Sequence, residues 1–277
     1  MYQKAYGIIE TLAPLHVGAS SGEENGNLNL IFRDQFTQTG IIPGSSIRGR
    51  FRADMRAHLR GSENTWYGHE ADSRQDDGGT TEAIVKFEYA SILWLPVYCP
   101  NQPTVRISSP SLLKRYQKLT GKSPRQFEPY SYYGKISSEK KTLFFNLGFL
   151  TLGDRDETLR EYMPTEVSDA KDYLLLVVND ADMATIHDMA LYRQSRVALE
   201  SEQKKAKKGA FFNVEALPEG TVMIFPIALR KILDGKSVKW KDFINDANLA
   251  EGTDLYFGGL ESIGFGRTQV TLKSIGE

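Results

Sequence analysis

Residues 41–61 read IIPGSSIRGRFRADMRAHLRG, and the fold class turns on this stretch. Pro43 and Gly44 turn the chain, and Ser45 or Ser46 is placed to cap the helix that follows. In that helix Ile47, Phe51, Met55 and Leu59 recur every fourth residue, and so do Arg48, Arg52, Arg56 and Arg60. An apolar stripe therefore faces a core while a basic stripe runs beside it. Gly61 lies just past the last periodic residue, where a C-cap is expected.

Working outward, residues 2–13, YQKAYGIIETLA, predict an opening strand that ends at Pro14. LHVGASSGEENGN reads as a polar loop before the short run LNLIF. Residues 61–82 predict a polar insertion, and IVKFEYASILWLPVY one or two central strands. SSPSLLKRYQKLTG predicts a short helix between Ser109 and Gly121, and residues 122–142 a loop. FFNLGFLTL and YLLLVV are further strands, and DADMATIHDMALYRQSRVAL a helix capped by Asp180 or Asp182. ESEQKKAKKGAFFNVEALPEG has a charged tip between apolar shoulders, which suits a hairpin arm; TVMIFPIAL is a strand. LYFGGLESIGFGRTQVTL reads as a glycine-rich turn leading into a last strand. This order predicts an α+β fold, a ferredoxin-like antiparallel sheet covered by helices on one side.

Composition removes several classes. With 34 Lys and Arg against 35 Asp and Glu, the formal net charge is −1, so any polyanion-binding surface has to be a local patch. Cys99 is the only cysteine and cannot form an internal disulfide; the four histidines are scattered, with no CxxC or HExxH, so no metal site is expected. No P-loop, GxSxG or strand-linked GxGxxG is present. The N-terminus lacks the pattern of a signal peptide and no run approaches a bilayer span, so a cytoplasmic protein with no membrane partner is expected.

Four features could carry chemistry, each with a plain structural alternative. The arginine stripe could track a phosphate backbone from the helix N-terminus, or be the wet face of an amphipathic helix, with Asp54 pairing one arginine. Lys204, Lys205, Lys207 and Lys208 precede Phe211 and Phe212, a combination of charge and rings suited to a single strand, or a solvated hairpin tip with its rings inward. Gly258, Gly259, Gly264 and Gly266 would let backbone approach a ligand beside Arg267, or simply make a tight turn. Glu23, Glu24 and Asp34, with His16 nearby, could support metal-assisted or general-base attack by a ribose hydroxyl, or be ordinary loop carboxylates.

Taken in order, these stretches resemble the RAMP superfamily of CRISPR-associated proteins. PLHVGA at 14–19 resembles its first-strand exit, IPGSSIRG at 42–49 its helix start, and GLESIGFGRTQV at 259–270 its C-terminal glycine loop. VRISSPSLLKRY at 105–116 and RVALESEQKKAKKGAFFNVEALPEGTVM at 196–223 narrow the likeness to the backbone subunit of type III, Cmr-like effector complexes. The resemblance implies a modified RNA-recognition fold spanning 1–277 as one palm, with insertions at about 61–83 and 122–142 and a protruding thumb at about 196–217. It implies a guide crRNA, complementary target RNA, further copies of the chain and other type III subunits as partners. His16, Gly18, Ser45, Ser46, Arg48, Arg50, Arg52, Gly264 and Arg267 would contact guide RNA, and Lys204, Lys205, Lys207, Lys208 and Phe211 would belong to the thumb.

Family members that cut the bound target carry an Asp in the loop after the first strand. Counting back from Asp34, Asn27 and Asn29 stand where it is expected. Asn supplies a carbonyl but neither a base nor a charge, so cutting would fall to Asp34 or Glu24, with Mg²⁺ or Mn²⁺. A guide-binding scaffold is therefore preferred to a slicing endoribonuclease. A guide-processing ribonuclease would need an exposed catalytic histidine, for which His16 is the candidate.

Overall fold

The computed structural model describes residues 2–18, 28–69, 81–100, 102, 104–137, 141–146, 148–167, 173–199, 206–233, 236–249 and 252–275. In chain order its main elements are β1 (Tyr2–Thr11), β2 (Leu28–Asn29), α1 (Gly44–His58), α2 (Ser62–Tyr67), β3 (Ala90–Val97) and β4 (Val105–Ser108). They continue as α3 (Pro110–Thr120), β5 (Leu174–Val177), α4 (Asp180–Ala190), β6 (Tyr192–Leu199) and β7 (Ala206–Ala216). The chain closes with β8 (Val222–Arg230), α5 (Trp240–Ala247), β9 (Thr253–Tyr256) and β10 (Arg267–Ser274).

At the centre, β1 lies between β10 and β8, and β8 pairs with β3, every pairing antiparallel. Chain order β1-α1-β3-β8-α5-β10 and spatial order β10-β1-β8-β3 together make the split βαβ arrangement of the ferredoxin-like fold. The sheet extends from β3 through β4 and β5 to Tyr132–Tyr133, with β5 parallel to β4, and β9 pairs outside β10.

Helices cover both faces of this sheet, not one. Ala5, Ile9, Phe225 and Ile227 pack with Ile47, Phe51 and Met55 of α1 and Phe243 of α5. Ile8 and Ile224, which point the other way because strand side chains alternate, pack with Leu113 and Tyr116 of α3 and with Leu159 and Tyr162 of a short 3₁₀ turn. Residues 7–11 of β1 are consequently buried without alternation, the pattern of a strand covered on both sides. The open sheet face on which RNA-recognition folds commonly stack bases is therefore filled here.

Several boundaries differ from the sequence expectation. Helix α1 begins at Gly44, whose added Cβ would lie 2.6 Å from the Phe87 carbonyl oxygen, and Pro43 is its N-cap, so neither Ser45 nor Ser46 caps it. It ends at His58 with Leu59 as C-cap. Gly61, at φ +101°, instead opens α2, which buries Trp66 and Tyr67 inside the expected polar insertion. Asn179 caps α4, because the Asp180 carboxylate accepts from the Ser111 amide and hydroxyl and Asp182 accepts from the Tyr130 hydroxyl. That helix stops at Ala190, and the next residues form β6, antiparallel to β7, so the arm starts at Tyr192.

Candidate nucleic-acid interface

Three of the stretches singled out in the sequence meet at the end of the sheet where β1 finishes. The Leu12 amide donates to the Arg267 carbonyl (2.8 Å), the Gly266 amide to Pro14 (2.9 Å) and the Gly259 amide to His16 (3.0 Å). The glycine loop is thus laced along the exit of the first strand. Two glycines make this approach possible: at Gly258 (φ +79°) a Cβ would lie 2.0 Å from the His16 carbonyl oxygen, and at Gly266 (φ +84°) one would lie 2.3 Å from that of Phe257. Gly259 and Gly264 have no atom within 4 Å of such a Cβ, so the outer side of the loop is open. Helix α1 joins the assembly through Phe51, whose ring packs 6.2 Å from Phe257 and 5.3 Å from Phe87.

The arm is rooted at the same place. Leu15 and Leu217 form an isolated antiparallel bridge, and His16 Nδ1 donates to the Glu215 carbonyl at 2.7 Å. The buried Glu215 carboxylate accepts from Arg33 (3.1 Å) and from Arg193 (3.1 Å), the two guanidiniums that a carboxylate out of water requires. Arg33 also pairs with Asp188 of α4. Phe265 of the glycine loop packs with Val214 and Ala216 of β7 and edge-on with Tyr192 of β6, and the Arg196 guanidinium lies over its ring. Beneath this root, His187 Nε2 accepts from the Gly40 amide at 2.9 Å. Burial, reinforced by the Arg33 charge, pushes the His187 imidazole down to about 4.

The remaining candidates are placed as follows. Ser45 is exposed beside Lys86 at the start of α1, and Ser46 is half-buried. Arg48 donates through two nitrogens to the Tyr67 carbonyl (3.1 and 2.6 Å), Arg50 pairs with Asp54 (3.4 Å), Arg52 donates to Asn64 (3.0 Å) and Arg56 to Glu63 (3.2 Å). The arginine stripe therefore runs along α2, tying the two helices together. Arg267 is exposed, and its Nε and Nη2 both donate to one Asp254 carboxylate oxygen. Gly18 bridges Ile31, and His16 is buried, not in the exposed position a catalytic histidine would need. Lys207, Lys208 and Phe211 lie on β7, whereas Lys204 and Lys205 lie outside the described residues.

Of the cutting candidates, Glu24 and Asn27 also lie outside the described residues, and Asn29 is on β2, paired beside Val214. Asp34 closes a tight turn: one carboxylate oxygen accepts from the Phe36 amide (3.0 Å), the Thr37 amide (2.7 Å) and the Thr37 hydroxyl (3.0 Å). Among the described residues no three His, Cys, Asp or Glu side chains converge as a metal site. No described helix is long and apolar enough to cross a membrane.

A ferredoxin-like palm carrying a hairpin arm, with a glycine loop closed onto the exit of its first strand, defines the class of this molecule. The chain belongs to the RAMP superfamily, whose family model matches residues 8–269. It is similar to the CRISPR system Cmr endoribonuclease Cmr4 of Pyrococcus furiosus, with 23% identity over 294 residues covering 98% of this chain and 97% of that protein. In fold it is similar to a chain of the type III-B Cmr-beta complex bound to cognate target RNA, with a TM-score of 0.75 at 17% identity over 97% of this chain and 96% of the other. Oligomeric Cmr4 from Pyrococcus furiosus is also similar, with a TM-score of 0.69 at 16% identity over 99% of this chain and all of the other.

Proposed function

We propose that this chain is the guide-RNA-binding backbone subunit of a type III CRISPR effector complex acting in the cytoplasm, a single palm with a thumb. Copies stand side by side along one crRNA, engage complementary target RNA with it and assemble with other effector subunits. The observation that carries this reading is the lacing of the glycine loop onto the first-strand exit, beside α1 and at the root of the arm. It leaves the outer side of Gly264 open and Arg267 exposed while the arm projects from the same place. Pairing with the guide then reads sequence, and the protein reads backbone shape.

The subunit is a scaffold and not the cutting agent. Asn29 supplies no negative charge, and one Asp34 oxygen is committed to holding its own turn. The test is to incubate the guide-loaded assembly with labelled complementary RNA and Mg²⁺ or Mn²⁺ and resolve it on a denaturing gel. Intact target that is retained in a mobility-shift assay is expected. Regularly spaced products that disappear in Asp34→Ala would overturn the scaffold reading.

A further inference from the structure

At the other end of the sheet, where β1 begins and β8 and β10 finish, the surface is basic. Lys4, Lys231, Lys239 and Lys241 line one open groove there, with Tyr2 and Ile275. A second groove, along α3 and the turn after it, carries Lys114, Lys118 and Lys122 beside Arg125. The two meet: Ile275 of the first groove comes within 3.8 Å of a Cβ built on Gly121, the residue before Lys122. Six of these lysines are exposed and Lys122 is half-buried. The nearby ion pairs, Arg125–Asp156 and Lys273–Glu166, use none of them. Among the described residues, Asp242 follows Lys241 in the chain, Asp180, already held by Ser111, faces Lys114, Glu82 is taken by Lys86 and Arg230, and Asp156 is taken by Arg125.

In a chain with a net charge of −1, seven lysines in two joined grooves are a segregated charge and not a by-product of a basic protein. The ten residues of β1 put this track about 30 Å from the glycine loop, too far for one bound phosphate to touch both. The ammonium groups are spread along the grooves, so a small anion would meet only one or two, whereas a flexible polyanion meets them in succession. They sit on mobile stems without the fork geometry that reads a base edge.

We propose that these two joined grooves form a second nucleic-acid track, which takes the phosphate backbone of a single strand without regard to sequence. It lies outside the loop-end interface and does not depend on that assignment.

The test uses the full chain and a fluorescent twenty-nucleotide oligouridylate, with affinity measured by anisotropy across a salt series. The forms compared are wild type, the combined variant Lys4→Gln, Lys231→Gln, Lys239→Gln and Lys241→Gln, and Arg267→Ala. For single strands the slope of log K against log salt changes by about 0.7 per phosphate contact, so the combined variant should lose about 3 from the slope and bind at least about tenfold more weakly at low salt. Its melting temperature should be unchanged, because those side chains are exposed and form no ion pair among the described residues. An isotherm that superimposes on wild type overturns the proposal. So does a variant that binds RNA normally but no longer co-purifies with partner subunits, since the grooves would then be a protein interface. An effect missing only from Arg267→Ala would count against the loop-end reading and leave this one standing.

Discussion

A methyl group on Gly258 would strike the His16 carbonyl at 2.0 Å, and the backbone there is left-handed. Gly258→Ala should therefore lift the glycine loop from the strand exit, costing about 1–3 kcal/mol and weakening RNA binding at the same time. Arg267→Ala is expected to separate the two effects. The side chain is exposed and its partner Asp254 is exposed too, so thermal stability should be unchanged while RNA affinity falls. Arg48 contrasts with both, since its guanidinium satisfies the Tyr67 carbonyl and holds α2 to α1. Its loss should cost about 1.5–3 kcal/mol, the range for a charged hydrogen bond, which thermal denaturation would read as a stability defect. The periodicity made Arg48 visible, but a stripe is the same whether it faces water, phosphate or a neighbouring helix. The partner that decides among these, the end of α2, sits in a stretch with too short an apolar run to be read as a helix.

Among the elements, the root of the arm is where stability and function meet. Glu215 draws Arg33 from 182 positions away, and Arg33 in turn holds Asp188 at 155 positions. No local pattern announces such a pairing, so Arg33, Asp188, His187 and Arg193 were invisible to a reading by period and spacing. The hairpin was legible only in part: a charged tip between apolar shoulders is a local signal, but its first strand, β6, continues a helical pattern and was predicted as helix. His187 provides a test of the root. It remains neutral in the folded protein down to about pH 4, whereas an unfolded histidine takes up its proton near 6.5. Between these values the unfolded chain binds the extra proton, so stability is complete above pH 6.5 and falls as pH drops toward 4, by up to about 3 kcal/mol. The carboxylates held low by their partners, Asp156 and Asp188 among them, lose their contribution only at more acidic pH. A melting temperature that declines from pH 7 to 5 in wild type and stays flat in His187→Gln, which keeps an acceptor for the Gly40 amide, is the expected result. For the arm, replacing Lys204, Lys205, Lys207 and Lys208 with Gln should impair capture of complementary target more than guide loading, measured by shift assays on preloaded and empty protein.

At the scale of the whole molecule, the first half of the ferredoxin-like order was readable because β1, α1 and β3 have clear periods, whereas α5, the helix of the second half, lies in a stretch for which no element was predicted. Coverage of both sheet faces was harder to read. The long insertion between β3 and β8 brings α3 back over the second face, and only the unbroken burial of residues 7–11 betrays it. With that face closed, it offers no open platform on which bases could stack. The most direct test is the mass of complexes assembled from pure protein on guide RNAs of increasing length, by light scattering. One added copy for each fixed increment of nucleotides is the result this account predicts; a single copy whatever the length of the RNA would contradict it.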